Sequence, residues 1–323
     1  MRLALPAVSI AVLWWRFDLA DVPALLGEVE PRLAVLGLAA FTASKVVHTF
    51  RWRLLLPQEA ELSTRRLLPV FLLSNMLNAL LPFRAGDVFR VEIPSRRFHV
   101  GRGALMSSVF IVETATDWVA FAVLLGATAL TAEFPSALRP LVAMMAVGAL
   151  GTFVAAAAVA RSRPPPDLSH HLPVSALPRD WRPGAERGLI AILGGMQSLR
   201  DNRHAALAVG MACIAWATEL PVWWLLARAF GFSPSLPEAL VLMTAANFVV
   251  SLPLTPWDLG TYELVVAEAY ALMGAGRSEA AAFAIGSHLM LHAWIGVTGI
   301  VAMWWLGLGP SDLAGGQARR TPP

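Results

Sequence analysis

Lysine is nearly missing from this chain. Lys45 is the only one, so nearly all the positive charge is arginine, which binds phosphate bidentately and is less strongly hydrated than lysine. A compositional bias against lysine explains the scarcity equally well. Cysteine is limited to Cys213, inside an apolar run, and a single thiol excludes an intramolecular disulfide and a thiolate metal site. Charge as a whole is scarce. Only 15% of the 323 residues are Asp, Glu, Lys or Arg, against ~25% in an average soluble domain. Catalytic signatures are also missing: there is no Gly-x-Ser-x-Gly, no phosphate-binding glycine loop with its lysine and no dinucleotide fingerprint. No soluble stretch is long enough to hold a cofactor. These absences favour a protein that moves something over an enzyme, with no cofactor, no metal and no nucleic-acid partner expected.

What fills the chain is apolar. Hydrophobic residues make up 57% and mean hydropathy is +0.60. The runs 140–160, 239–257 and 280–309 contain no Asp, Glu, Lys or Arg, and each is long enough to cross a bilayer. A soluble helical core seldom runs that far without a polar face. Spans are expected near 3–17, 33–50, 104–130, 140–160, 204–230 and 280–308. The run after Arg2 lacks a small-residue cleavage site, so it reads as a first membrane segment rather than a removed signal. Trp14, Trp15, Trp223, Trp224, Trp304 and Trp305 sit near expected span ends, where indole favours the interface.

Two further apolar segments, about 67–93 and 239–275, are interrupted. The first reads Asn75-Met-Leu-Asn78-Ala-Leu-Leu-Pro82-Phe-Arg84-Ala-Gly86-Asp87-Val-Phe-Arg90. The second reads Asn247-Phe-Val-Val-Ser251-Leu-Pro253-Leu-Thr-Pro256-Trp-Asp258-Leu-Gly260-Thr-Tyr262-Glu263. Proline removes an amide donor and glycine loosens the helix, so neither run should cross as one rod. Broken backbone at membrane depth survives only against protein or a wet cavity. A pair of such breaks in corresponding positions points to a binding site between inverted repeats.

Arginine placement predicts the orientation. Arg51, Arg53, Arg65 and Arg66 precede the first break. Arg84, Arg90, Arg96, Arg97 and Arg102 follow it. The stretch 161–203 holds seven arginines, and Arg319 and Arg320 end the chain. All should be cytoplasmic, whereas 18–32, 131–139 and 231–238 should face outward. Both flanks of 67–83 are basic, so a hairpin that enters and returns satisfies them where a single crossing would not. The second break follows an outward loop and should enter from the opposite face. The expected fold is therefore all-α and polytopic, with two inverted halves and two opposed re-entrant hairpins. One transmembrane domain, 1–309, would comprise a first half 1–160, a cytoplasmic linker 161–203 and a second half 204–309. The linker carries Pro164-Pro165-Pro166, Pro173, Pro178 and Pro183, so it cannot be one long helix. A short surface helix is faintly patterned at 186–203, and the tail 310–323 is expected to be disordered.

Ionisable groups inside spans are costly, so each is a functional candidate. Glu113 and Asp117 lie on one helix face, where they would share a proton or pair with Arg84 or Arg90. Glu219 either lines a cavity or partners a hairpin group, and the cavity is favoured. Glu263 ends the second break. Arg84 and Arg90 flank Gly86 and, with Arg51 and Arg53, are the natural anion ligands; the plainer reading is that they only enforce orientation. Asp87 would set their geometry or relay a proton. Asn75, Asn78 and Asn247 would satisfy broken backbone, Tyr262 would line the path with Glu219 and Glu263, and Pro82, Gly86, Pro253, Pro256 and Gly260 would make the breaks. His288 and His292 share one helix face but lack a metal-binding signature around them; packing or proton handling is expected.

Arg51-Trp52-Arg53, Asn78-x-x-x-Pro82-x-x-x-Gly86-Asp87-x-x-Arg90, Glu113-x-x-x-Asp117 and Pro256-x-x-x-Gly260-Thr-Tyr-Glu263 together resemble the flippase-like family. This is the membrane region of lysylphosphatidylglycerol synthases, shared with uncharacterised proteins of the YbhN and AglD type. The resemblance covers most of 30–308. It implies an integral protein of the cytoplasmic (inner) membrane, linked to translocation of an anionic phospholipid or polyprenyl-phosphate lipid. The runner-up reading is a non-transporting scaffold or regulator of an envelope-lipid synthesis enzyme, and a small-solute or ion transporter is a distant third. Family members commonly carry glutamate where Asp87 stands, and Pro-Gly-Gly-x-Gly where this chain has Pro256-Trp-Asp-Leu-Gly260. In the synthases a soluble aminoacyl-transferase domain follows; this chain stops soon after its last expected span, so lysyl transfer is not expected.

Overall fold

The structure is a computed structural model describing residues 4–56, 62–81, 84–130, 139–162, 182–196, 199–251 and 255–309. Pro82, Pro253, the linker prolines from Pro164 to Pro178 and the tail 310–323 lie outside the described residues.

All regular elements among the described residues are helical, the structure in which a segment satisfies its own backbone groups within lipid. In order they are α1 (Ala4–Arg16), α2 (Val22–Gly27), α3 (Pro31–Leu55), α4 (Thr64–Leu80), α5 (Gly86–Phe98), α6 (Arg102–Met106), a π segment (Ser107–Glu113), α7 (Thr114–Ala129), α8 (Arg139–Arg161), α9 (Arg182–Gly195), α10 (Asn202–Ala217), α11 (Leu220–Ala229), α12 (Leu236–Ser251), a 3-10 turn (Pro256–Asp258), α13 (Thr261–Leu272) and α14 (Arg277–Trp305). Five stretches are long and apolar enough to cross a membrane: Pro31–Leu55, Arg102–Ala129, Ala143–Arg161, Asn202–Ala229 and Arg277–Trp305. The protein is thus an all-α polytopic membrane protein. The expected span at 3–17 is the exception. α1 holds 13 residues and rises about 20 Å, short of the ~30 Å hydrocarbon core.

Helix starts follow capping chemistry. Ser63 and Asp201 accept from the Arg66 and His204 amides at 3.3 and 3.2 Å. The His204 side chain, then its amide, hold the exposed Asp201 carboxyl below its ordinary range. Glu263 and Glu279 reach back to the Gly260 and Gly276 amides at 2.7 and 2.9 Å, satisfying donors that a helix start leaves orphaned.

The chain divides into two compact units that interleave in sequence. The first takes in 1–46, 63–90 and 219–323, and the second 47–62 and 91–218. They are different objects from the two halves read from topology, since their boundaries cut α3 and α5. In the first unit α4 lies along α14, where Gly299 makes room for Met76: a Cβ on Gly299 would come 2.3 Å from the Met76 Cβ. α13 packs on α14, with the Tyr270 and Phe283 rings stacked at 4.4 Å, and also on α1 and α12. In the second unit α7 contacts α8 and α10, and α6 contacts α9.

α9 occupies Arg182–Gly195 rather than 186–203. It is docked, not loose. Gly103 and Ser107 on one helix face Ala191 and Gly195 on the other, the small-xxx-small spacing that lets helix backbones approach closely. Trp14, Trp15, Trp304 and Trp305 are exposed, as interface residues should be, but Trp223 is only 3% exposed and belongs to the core.

Candidate functional site

Both interruptions fall where the proline and glycine pattern put them. α4 stops at Leu80 and α5 starts at Gly86; α12 stops at Ser251 and α13 starts at Thr261. Both lie in the first unit, and there they meet. The Trp257 indole Nε1–H donates to the Leu80 carbonyl at 3.3 Å, tying the second break to the end of α4. The backbone is strained at the same places. Of the four non-glycine residues with positive φ among the described residues, Arg84 (52°), Trp257 (58°) and Asp258 (54°) lie in the breaks. That conformation costs roughly 1–2 kcal/mol for a residue with a Cβ, and such outliers cluster at functional sites.

The first break is organised around Asp87, which is 4% exposed. Arg84 Nε donates to Oδ2 at 2.9 Å, and Asn78 Nδ2 and Ser74 Oγ donate to Oδ1 at 3.1 and 3.4 Å. Arg90 Nη1 lies 3.9 Å from Oδ1, with its guanidinium over the Phe71 ring at 4.6 Å. Asn78 Oδ1 accepts the Asp87 amide at 3.2 Å, so Asn78 does satisfy broken backbone. Gly86 is required by close approach: a Cβ there would lie 2.1 Å from the Ser74 carbonyl oxygen. The two arginines differ. Arg90 is buried, whereas the Arg84 side chain is 43% exposed and engages Asp87 through Nε.

The second break is held by hydroxyls and by Glu263. Thr255 and Thr261 share a 2.9 Å hydrogen bond, and Thr261 Oγ1 donates to the Asp258 carbonyl at 3.1 Å. Glu263 Oε1 lies 2.5 Å from His288 Nδ1, and His288 Nε2 lies 3.3 Å from His292 Nε2. Tyr262 stacks on His288 at 4.3 Å and hydrogen-bonds Ser287 at 3.2 Å. Behind α12, Glu219 is 1% exposed. It accepts from Lys45 Nζ at 2.6 Å and from Asn247 Nδ2 at 3.0 Å. Glu219 is therefore a buried partner of Lys45 and of Asn247 on α12. Asn247 serves Glu219 and the Met243 carbonyl of its own helix, at 2.9 Å, rather than the break. Pro256 opens the 3-10 turn.

The second unit holds a polar core built on Arg51. Arg51, 1% exposed, pairs through Nη1 with Asp117 Oδ1, and its Nη2 donates to Thr116 Oγ1 at 2.6 Å and to the Glu113 carbonyl at 3.2 Å. The Trp216 indole donates to Asp117 at 2.7 Å. For Asp117 the expected partner, Arg84 or Arg90, gives way to Arg51. Glu113 ends the π segment, so Glu113 and Asp117 straddle a change of helical pitch. Arg51 is enclosed rather than presented to solvent, and the exposed Arg53 donates to the Leu62 carbonyl ahead of α4.

Lys45, Ser74, Thr116, Trp216 and Ser287 are partners that the sequence reading passed over. Lys45 alone left a signal, as the sole lysine, in mid-span. No group of three or more His, Cys, Asp or Glu suited to a metal occurs among the described residues.

No curated protein and no solved structure matches the chain. A family model does, over residues 2–312, and both breaks, the Asp87 cluster and the Glu263–His288 pair fall within it. The chain belongs to the family of the lysylphosphatidylglycerol synthase TM region.

Proposed function

We propose that this protein binds an anionic lipid headgroup at the meeting of its two breaks and carries the lipid across the cytoplasmic membrane. The lipid is an anionic phospholipid or a polyprenyl-phosphate-linked lipid, and the protein acts as a transporter, not an enzyme. The observation that carries this reading is the Arg84 guanidinium. It is half-exposed, fixed by Asp87 through one nitrogen, in the break whose leading end, Leu80, is bound by Trp257 of the other break. A fork so held suits a phosphate oxygen pair. Arg90 and Asn78 position Asp87. Glu219, Asn247, Tyr262 and Glu263 shape the other side. The breaks are read as opposed re-entrant hairpins of inverted halves. Helix lengths support this, since α5 and α13 hold 13 and 12 residues, too few to cross alone. Arg51, Asp117 and Glu113 support the second unit instead of touching lipid.

The test is movement of a labelled anionic phospholipid or polyprenyl phosphate in vesicles containing the purified protein. Arg84→Ala should abolish movement without lowering thermal stability. Arg84→Lys should restore only part, because a point charge cannot reproduce a bidentate contact. Pro256→Ala should slow movement by favouring a continuous helix. A second reading, a non-transporting scaffold for an envelope-lipid enzyme, is favoured by the pairing of the buried charges Lys45–Glu219 and Glu263–His288. It replaces the first if the folded protein moves no anionic lipid.

A further inference from the structure

The Glu263, His288 and His292 side chains form a string whose hydrogen positions follow from its acceptors. The His288 carbonyl can only accept, so His292 Nδ1, 3.1 Å away, bears a hydrogen. A neutral His292 then presents a lone pair on Nε2, and His288 Nε2–H donates to it across 3.3 Å. His288 Nδ1 and Glu263 Oε1 stand 2.5 Å apart, with one proton between them. Either the carboxyl holds it beside a neutral imidazole, or an imidazolium holds it beside a carboxylate. Glu263 Oε2 is occupied by the Gly260 amide at 2.7 Å, so only Oε1 faces the ring. Glu263 and His288 are buried, at 8% and 4% exposure, and His292 is half-buried.

We propose that Glu263, His288 and His292 form a proton-transfer chain, and that lipid bound at Arg84 moves together with a proton passed along it. This rests on the translocation reading above. A proton on Glu263 Oε1 passes to His288 Nδ1, the His288 Nε2 proton passes to His292 Nε2, and the resulting imidazolium loses one proton to water. One proton enters at the break and one leaves at His292; no electrons move.

Asp258 links the chain to the lipid site through its neighbours: the adjacent Trp257 donates to the Leu80 carbonyl ahead of Arg84, and the Asp258 carbonyl accepts from Thr261, two residues before Glu263. An anion that offsets Arg84 makes the local potential more negative and favours the imidazolium. Lipid and proton therefore travel in the same direction. Other charges on the packed elements are few. Glu219 is paired with Lys45 and bound to Asn247 of α12. α1 brings Arg16, which is paired with Glu268 of α13. α4 brings Arg65 and Arg66, both in its first turn, and α12 brings Glu238, bound to Ser235. α2 has no charged residue, and α14 adds only Arg277 and Glu279 at its start.

Two measurements test this. Difference infrared spectroscopy of the 15N-histidine protein in nanodiscs should show a protonated-carboxyl band that grows as pH falls. Glu263→Gln, which keeps an acceptor for the Gly260 amide, should remove that band, and His288→Gln should shift the pH at which it forms. A band indifferent to both variants overturns the proposal. In phosphatidylcholine vesicles carrying fluorescent phosphatidylglycerol, an imposed pH difference should shift the final leaflet ratio towards the alkaline side. At one proton per lipid the shift is about tenfold per pH unit, and it should vanish in Glu263→Gln. Movement that ignores the pH difference overturns the coupling and leaves translocation standing. No movement at all removes translocation, and the infrared result then decides whether the chain shares a proton.

Discussion

At the scale of single residues, the chain uses its one lysine at one of its most enclosed charges. Lys45 is paired with Glu219, which is 1% exposed, and its ammonium also lies over the Phe41 ring at 4.2 Å. Removing one member of a buried pair strands the other and costs about 3–5 kcal/mol, whereas removing both can be nearly neutral. Lys45→Met should therefore lower thermal stability in detergent sharply. Lys45→Met with Glu219→Gln should recover most of the loss. Strictly additive losses would show that the two groups do not act as a pair. Arg84 and Arg90 should separate in the same assay. Arg90→Ala removes a buried guanidinium beside Asp87 and should destabilise, while Arg84→Ala, at a half-exposed side chain, should not.

At the scale of elements, the breaks are set by close approach as much as by proline. The first turn of α5 sits directly on α4, because Gly86 has no Cβ to strike the Ser74 carbonyl. Gly86→Ala should push the two apart, stretch the Asn78–Asp87 hydrogen bonds and abolish lipid movement. Gly148→Ala and Gly151→Ala on α8 are the controls, since a Cβ at either meets nothing within 4 Å. In a helix interior those changes should be neutral or stabilising by up to about 1 kcal/mol each. Equal effects at Gly86 and Gly148 on unfolding temperature would remove the close-approach account of the first break.

At the scale of the whole molecule, the arginine distribution predicts topology. In a Cys213→Ser background, single cysteines at Ala60 and Ser95 should both label from the cytoplasmic side. One at Ser233 should label from outside; Ser233 is preferred to Ser235, which is engaged with Glu238 at the start of α12. Labelling of 60 and 95 from opposite sides would turn the first hairpin into a crossing and dissolve the inverted arrangement.

The sequence by itself determined the class of this protein and where its helices fail. Scarce charge and long apolar runs require lipid-embedded helices, because only helices close their own hydrogen bonds there. Proline and glycine then mark the breaks at 80–86 and 251–261 within a few residues. α1 begins and ends within a residue of the expected 3–17 segment, but at 13 residues it is shorter than the five stretches able to cross. Tertiary structure decided the partners. Helical spacing put Glu113 and Asp117 on one face but did not reveal that Arg51, on a different helix, closes on Asp117. Nor did any local pattern join Lys45 to Glu219, 174 residues away, or His288 to Glu263, 25 residues away. Charges buried among helices choose partners by distance in the folded molecule, and helix packing alone sets those distances.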